Sequence, residues 1–589
     1  MKYRSCYCGE VTQTDQGIEL ILSGWIERIR EVGSGLTFIL LRDRTGLIQL
    51  VVDAAQTPAL HDKVVNLHHE DVCRVTGKVL LRSEKDINPN MPTGHVEVLL
   101  ISLEVLSSCE KLPFEVSKSR FVDETLRLKH RYLDLRNPEV MKTFKLRHEV
   151  TQSTREYFTK QGFWEIETPY LAKSTPEGAR DFLVPSRVNP SHFYALTQSP
   201  QIYKQLLMMG GMDKYFQICR CFRDEDFRLD RQPEFTQIDF ECSFTSLDEL
   251  KRLIEGLMKK ICFQVLSMEI DTPFQEITYH QAIKNYGTDK PDLRNPLIIK
   301  DIVPFFNHEE CKPFYDFIQG GQSFVAMTLP GDKIQLSRKQ SDELIESFKT
   351  DDAKIYLFKH KESGISIATL DTSKSESLAN HLQSKTGDSI IAILGPNHKA
   401  LTLLGRIRQH FSSQFINESS SKAFHFAWIT EFPLFEWNEE ENRYQSAHHL
   451  FTLPHKDDFE AYFPKQAENI RASSFDLVLN GFELGSGGLR IYQAQQQKEV
   501  LRFIGLSDKD IEEQFGFLLE AMSFGAPPEG GFAIGMDRLV MILADQASLR
   551  EIIAFPKNTR GASPLTGEPS PVSKKQLKDL HIQLNQEES

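Results

Sequence analysis

The sequence predicts a multidomain α/β protein that opens with a small β-barrel and continues into an α/β body interrupted by an insertion. Three observations carry this expectation. The chain has 589 residues, more than one hydrophobic core organises. Apolar, β-branched runs fill the first 110 residues, and a helical period sets in only near residue 140. Between 290 and 423 the texture changes to short α/β segments and glycine turns, without dense charged motifs, before strands return.

The barrel comes first. "IELILSGWIERI", "GLTFILLRDRTGLIQLVVD", "EDVCRVTGKVLLRSE" and "GHVEVLLISLEVLSS" are broken by glycine and charge clusters. Four or five strands in residues 1–110 predict a small barrel such as an OB-fold. Residues 111–140 read as a hinge with a short helix. In 141–289, Phe144, Leu146, Val150, Tyr157 and Phe158 keep a helical period. Gly162 ends that helix, and a strand is expected to run to Pro169. From Ala195 to Glu249 helix and strands mix, with an antiparallel look. The insertion takes 290–423. Strands, Gly-rich turns and a final helix fill 424–559. The tail, 560–589, is rich in Pro, Ser, Lys and Gln and is expected to pack loosely.

Composition narrows the class. The chain is 40% hydrophobic and 26% charged, ordinary for a globular protein. It has no apolar run of 18 residues and no signal-like apolar stretch in "MKYRSCYCGE", so a cytoplasmic enzyme with no membrane span is expected. Nine scattered cysteines suggest buried thiols and neither a disulfide framework nor a zinc site. A net charge of −13 argues against nucleic-acid affinity over the whole surface. It leaves room for a local basic groove.

Charge is concentrated at "FRDEDFRLDRQPEFTQIDFE" (222–241). Strand alternation puts Tyr215, Gln217, Cys219, Cys221, Arg223 and Glu225 on one face. It puts Phe235, Gln237, Asp239 and Glu241 on one face of the next strand. The loop 226–233 adds Arg228 and Arg231. A solvated face with surface ion pairs is one reading. Guanidinium forks aimed at phosphate are the other. A second candidate is "EGGFAIGMDRLVMILADQ" (529–546), where Arg538 falls near a helix N-terminus. A cation there opposes the helix dipole, and makes sense if a phosphate sits there; the alternative is an arginine turned to solvent. A third is "FDLVLNGFELGSGGLRIYQ" (475–493). Asp476 and Glu483 flank an expected strand as candidate Mg²⁺ ligands, and Gly485, Gly487 and Gly488 would let backbone approach a ligand. A plain Gly-rich hairpin is equally compatible.

Together these segments resemble the class II aminoacyl-tRNA synthetases. "FRDE" with the loop to "PEFTQIDFE" looks like motif 2, "GMDR" like motif 3, and the helix and strand ending "IETPYL" like motif 1. "STPEGARDFLVPSR", "LTQSPQIYKQLLM", "AHHLFT" and "IIAFPK" are closest to the bacterial-type aspartyl-tRNA synthetase family. The resemblance runs from the barrel to about Lys557. It implies an OB-fold anticodon-binding domain, a class II core built on an antiparallel sheet flanked by helices, and an inserted bacterial-type domain. It also implies a homodimer.

The implied reaction joins L-aspartate and ATP to aspartyl-adenylate, then transfers aspartate to the 3′-end of tRNA(Asp), with tRNA(Asn) left open as a second substrate. The resemblance assigns Arg223 and Arg538 to catalysis. Arg223, Asp224, Glu225, Gln232, Glu483, Gly535, Met536, Asp537 and Arg538 would hold ATP, and Asp476 and Glu483 would hold Mg²⁺. Glu177, Gln201 and Asp239 would take the substrate ammonium. Lys204 and Arg490 would take its side-chain carboxylate, which could separate Asp from Asn on the order of 10⁴-fold. His448 would close over aspartate. In the barrel, Phe38 would stack on an anticodon base and Gln49 would read a uridine; barrel core is the alternative for Phe38. Val32, where the family has His or Leu, and Ser83 would bear on tRNA choice. Two further departures are Leu450 in place of Pro after the His pair, and "GSGG" in place of GGGS. The competing readings are an asparaginyl-tRNA synthetase and a tRNA-binding homologue without catalysis.

Overall fold

The computed structural model describes residues 2–33, 35–174, 179–225, 230–312, 314–367, 370–416 and 424–585. The chain divides into two compact units. One comprises Met1–Leu146 with Arg550–Ser570, and the other Arg147–Leu549 with Pro571–Ser589.

The first unit contains the expected barrel. Strands β1 (Glu19–Val32), β2 (Leu36–Asp43), β3 (Gly46–Asp53), β4 (Val72–Leu81) and β5 (Val96–Ser107) close in the order β1-β2-β3-β5-β4. Closure leaves no open sheet edge. Period-two alternation sends Ile39, Leu41, Ile48 and Leu50 into the core. Phe38 and Gln49 fall on the outer face, half-buried. Barrel core is thereby excluded for Phe38. Residues 111–140 hold more helix than expected: a 3-10 turn at Val116–Phe121, helices Glu124–Lys129 and Arg131–Asp134, and the start of helix Pro138–Lys160. Arg131 is fully buried here and donates to the carbonyls of Arg550 (3.0 Å), Ile553 (3.0 Å) and Ala554 (3.1 Å).

The second unit is built on an eight-stranded sheet. After helix Pro138–Lys160 and Gly162 (φ +81°), the strand expected to reach Pro169 is only β6 (Trp164–Glu165). Next come β7 (Leu171–Ala172), β8 (Leu183–Pro185) and β9 (Phe193–Leu196), a small separate sheet, then β10 (Lys214–Phe222), β11 (Glu234–Ser243) and β12 (Gln275–Thr278). Strands β13 (Lys300–Asp301), β14 (Ser323–Leu329), β15 (Lys354–Lys361), β16 (Gly364–Ile365) and β17 (Ser389–Gly395) make a five-stranded sheet of their own within the 290–423 segment. The main sheet resumes with β18 (Phe426–Thr430). A hairpin, β19 (Phe435–Asn438) and β20 (Arg443–Ser446), follows, then β21 (Ser474–Leu479), β22 (Phe482–Leu489) and β23 (Glu529–Gly535). Its order is β12-β18-β21-β22-β23-β11-β10-β6.

One face of this sheet is aromatic. Phe158 of helix Pro138–Lys160 stacks on Phe216 at 5.0 Å and packs on Phe240 at 5.1 Å. Helix Leu247–Leu266, started by the Ser246/Glu249 capping box, buries Leu250, Ile254 and Leu257. The other face carries the polar residues of β10 and β11, and the site lies there. Among the described residues, no helix is long and apolar enough to cross a membrane. None of the nine cysteines forms a disulfide among the described residues, and seven are buried.

Candidate active site

The β10–β11 register matches the alternation read from the sequence. Tyr215 faces Glu241, Gln217 faces Asp239 and Cys219 faces Gln237. Of these, Gln237 and Asp239 floor a cavity of about 570 Å³, walled by β21, β22, β23 and helix Gln201–Met209. Arg228 and Glu177 lie outside the described residues.

The deepest part is a buried charge cluster. Lys204 Nζ lies 2.8 Å from Asp239 Oδ2 and 3.0 Å from Glu241 Oε2. Arg490 Nε donates to Glu241 Oε1 at 2.8 Å, and its Nη2 donates to Oε2 at 3.2 Å and to the Gly531 carbonyl at 3.3 Å. Burial disfavours charge on every member, but opposite charges outweigh it for three of them. Burial works against Lys204 and Arg490, yet the carboxylates hold both pKa values above their ordinary ranges. Burial also pushes Glu241 up, yet Arg490 and Lys204 hold it below the usual range. For Asp239 burial prevails over Lys204, and the carboxyl is raised to about 6. Asp239 Oδ1 and Gln201 Nε2 are buried with no hydrogen-bond partner among the described residues. Such orphans are costly unless a ligand completes them. His449, beside this cluster, is lowered to about 3 by burial and then by Arg490, Lys204 and Arg223. It stays a neutral imidazole.

The outer part holds arginines and carboxylates. Arg223 lies over the Phe235 ring at 5.1 Å, and its Nε is buried without a hydrogen-bond partner among the described residues. Gln232 is buried on the wall. Glu225 accepts from Arg231 Nη1 at 2.7 Å. Asp224, by contrast, makes a backbone bridge to Arg180 and does not line the cavity. Arg538 sits in the first turn of helix Met536–Leu543, whose N-cap is Gly535. Its Nη1 donates to the Glu483 carbonyl at 2.9 Å, and its Nη2 lies 3.2 Å from Asp230 Oδ2. Met536 is buried away from the cavity. Both oxygens of Asp537 are engaged, by Arg147 Nη1 at 2.6 Å and by the Thr236 N–H at 2.8 Å. Asp537 therefore ties the Arg538 helix to β11 and helix Pro138–Lys160.

Asp476 and Glu483 do not flank one strand, as the sequence suggested. They sit on the two strands of the β21–β22 hairpin, whose turn is Asn480–Gly481. Asp476 Oδ1 is buried without a hydrogen-bond partner among the described residues. Burial, Glu483 and Asp289 push its carboxyl well above the usual range. Among the described residues no group of three or more His, Cys, Asp or Glu side chains is placed to hold a metal ion, so a cation here would have two protein carboxylates at most and would need phosphate oxygens to complete its shell. Gly485 and Gly487 line the cavity, but the demand for glycine comes from the sheet. A Cβ on Gly487 would meet the Gly531 carbonyl at 2.2 Å and the Phe532 ring at 2.5 Å.

His448 is not a surface histidine. It packs on Phe432 at 4.1 Å between ring centres, its Nδ1 is 3.2 Å from Ser486 Oγ, and burial lowers its pKa. The segment after it is held despite Leu450. Gln497 Nε2 donates to the Leu450 carbonyl at 2.9 Å, the Ile491 N–H donates to that of Phe451 at 2.8 Å, and the Leu453 N–H to that of Leu489 at 2.9 Å.

Sequence reasoning gave no role to Glu241, Glu529 or Asp289. Alternation put Glu241 on the right face, and that was the one available signal. In the barrel, Arg30 lies over Phe38 at 5.8 Å and Gln49 donates to Glu97 at 2.9 Å. Val32 is exposed at the end of β1, and exposed Ser83 donates to Asp86 at 2.6 Å.

A family model described as tRNA synthetases class II (D, K and N) matches residues 123–559, and one described as OB-fold nucleic acid binding domain matches residues 20–106. The chain is 44% identical to the aspartate–tRNA(Asp/Asn) ligase of Thermodesulfovibrio yellowstonii, over 99% of this chain and 100% of that one. It is 43% identical to the aspartate–tRNA ligase of Macrococcus caseolyticus, over the whole of both chains. Among solved structures, the asparaginyl-tRNA synthetase of Pyrococcus horikoshii with asparaginyl-adenylate matches with TM-score 0.59 at 18% identity, covering 94% of this chain and 97% of that one. The aspartyl-tRNA synthetase of Entamoeba histolytica gives 0.55 at 18%, covering 93% and 90%. At these identities the solved structures speak for the fold alone.

Proposed function

The chain belongs to the class II tRNA synthetases of the D, K and N group, and from that premise we propose that it is an aspartate–tRNA ligase charging both tRNA(Asp) and tRNA(Asn). The observation that carries the reading is the buried cluster of Lys204, Arg490 and Asp239, tied together by Glu241 behind them, at the floor of a cavity rimmed by Arg223, Arg538 and Gln232. A small zwitterion with a second carboxylate suits the floor, and a triphosphate suits the rim.

The aspartate α-carboxylate oxygen attacks the ATP α-phosphorus, and pyrophosphate leaves. The 3′-hydroxyl of the terminal tRNA adenosine then attacks the adenylate carbonyl, and AMP leaves. Arg223 neutralises charge on the α-phosphoryl group, and Arg538, fixed by the Asp537 clamp, takes the far end of the triphosphate. Catalysis is positioning plus charge neutralisation, with no covalent enzyme intermediate. Asp239 Oδ1 and Gln201 receive the ammonium, and Lys204 and Arg490 receive the side-chain carboxylate. Asp476 and Glu483 would hold Mg²⁺, which supplies further neutralisation of phosphate charge when bound. Mutual donor–acceptor matching to a carboxylate disfavours asparagine, whose amide cannot pair both cations.

The tRNA partner meets the barrel through the outer face that carries Phe38 and Gln49. Relatives at 43–44% identity named for both tRNAs support the relaxed tRNA range. A homodimer belongs to the same proposal: Trp164, Leu171, Leu183 and Phe193 of β6–β9 are half or more exposed, and a second copy would cover such an apolar face. So does a cytoplasmic location, where tRNA is charged. The test is ATP–pyrophosphate exchange with Asp and with Asn, then charging of purified tRNA(Asp) and tRNA(Asn). Exchange with Asp alone and charging of both tRNAs are expected. Exchange with Asn alone would overturn the amino-acid assignment, and no exchange would favour a homologue without catalysis.

A further inference from the structure

Behind the amino-acid floor lies a carboxyl that the mechanism above does not use. Glu529, the first residue of β23, is 1% exposed. It is held next to the charge cluster by backbone, because the Arg490 N–H donates to its carbonyl at 2.9 Å. The β11–β23 register pairs Ser243 with Glu529 and Glu241 with Gly531. Glu529 and Glu241 are thus diagonal neighbours on one face of the sheet. Gln205, from helix Gln201–Met209, meets Glu529 from the other side: its Nε2 donates to Glu529 Oε1 at 3.4 Å.

Two atoms of this pair are left over. Glu529 Oε2 and Gln205 Oε1 are both buried and both lack a hydrogen-bond partner among the described residues. Two buried acceptors facing no donor are costly. A carboxyl oxygen becomes a donor when it carries a proton, and an amide oxygen only accepts. A single proton on Glu529 Oε2 would satisfy both atoms and close an acid–amide ring.

We propose that Glu529 is a positioning residue for the amino-acid pocket: as the acid of an acid–amide pair with Gln205 it leaves Lys204 and Arg490 to a carboxylate ligand, and as a carboxylate it competes with that ligand for them. The charge count gives the reason. Lys204 and Arg490 are balanced by Asp239 and Glu241, and His449 is neutral. A neutral Glu529 leaves the cluster even, and an ionised one makes it negative and repels a dicarboxylate. The groups facing Glu529 are Glu241 from β11, Arg490 from the end of β22 and Lys204 from helix Gln201–Met209. Burial and then Glu241 raise its carboxyl, against Arg490 and Lys204, to about 9. At neutral pH the acid form therefore prevails.

This inference rests on the aspartate reading, and the experiment separates the two. Pyrophosphate exchange with aspartate at neutral pH tests that reading. The inference is tested by the KM for aspartate between pH 7.5 and 9.5 in wild type and Glu529→Gln, each normalised to its own value at pH 7.5. The substrate ammonium titrates identically in both proteins and cancels. Ionisation of Glu529 multiplies the wild-type KM by one plus the ratio of ionised to neutral form, about fourfold half a unit above its pKa. The variant, an amide at every pH, is expected to lack that factor, and the KM for ATP is expected to stay level in both. Identical normalised profiles would overturn the proposal. Should the variant not fold, competitive inhibition of the wild type by succinate, a dicarboxylate without ammonium, gives the same readout. A rise in its inhibition constant near pH 9 supports the proposal, and a flat profile overturns it.

Discussion

Glu241 holds Arg490 through both carboxylate oxygens, Oε1 at 2.8 Å from Nε and Oε2 at 3.2 Å from Nη2. Its Oε2 is also 3.0 Å from Lys204 Nζ. The two cations assigned to substrate are thus joined by one fully buried carboxylate before any ligand arrives. Glu241→Gln removes that charge and leaves two buried cations against Asp239 alone. A loss of about 3–5 kcal/mol in unfolding free energy is expected, measured by urea denaturation. A change below 1 kcal/mol would mean that the cluster is not the rigid floor described above.

Aspartate affinity is expected to fall in acid. The Asp239 carboxyl is raised to about 6, chiefly by burial. A raised carboxyl costs the fold nothing below its ordinary pKa, and the cost grows with pH until it is complete above about 6. The substrate ammonium needs the ionised form, so the KM for aspartate should rise as pH drops below 6. Pyrophosphate exchange from pH 5 to 8 measures this, and a level KM would argue that Asp239 is not the ammonium partner. His449, lowered to about 3, adds no break in that range.

Gly487→Ala is expected to destabilise the fold by about 1–3 kcal/mol, the usual cost of overpacking. The added carbon would meet both the Gly531 carbonyl and the Phe532 ring. Thermal unfolding reads the loss. An unchanged melting temperature would mean that β22 and β23 can separate, and that the glycine serves the ligand alone.

Phe38→Ala should leave the barrel folded, because Phe38 is not in the core between the strands. It should weaken tRNA binding by about 1–3 kcal/mol, the worth of one base–aromatic stack. ATP–pyrophosphate exchange without tRNA should be unaffected. Filter binding of tRNA together with exchange distinguishes this from a general loss of fold.

The parts legible in the sequence were those governed by local period. Alternation put Gln217, Gln237, Asp239 and Glu241 on one face of β10 and β11. It also predicted the barrel, and Gly162 marked a helix end at positive φ. What stayed hidden depends on partners distant in the chain. Glu241 and Arg490 are 249 positions apart, and no spacing rule couples them. Asp537 lines the cavity beside Arg538, and the contacts that fix it, to Arg147 and Thr236, lie 390 and 301 positions away in the chain. Of the two readings open for Asp476 and Glu483, a flanked strand and a Gly-rich hairpin, the hairpin is the one present. The turn Asn480–Gly481 needs two positive-φ residues, and it splits one expected strand into a hairpin.

Strand β11 has a consequence for how this chain can change over time. Ile238 and Phe240 face the aromatic layer, while Gln237 and Asp239 face the cavity and Glu241, on the same face, lies buried behind it. Inserting or deleting one residue would turn Asp239 toward Phe158 and Phe240 toward Lys204. Folding and chemistry would fail in the same event, with no intermediate in which only one is impaired. Such a ribbon tolerates substitution position by position but not a change of length. Drift in length is left to the connections around it, and the reading frame of β11 is the part a lineage must inherit unaltered.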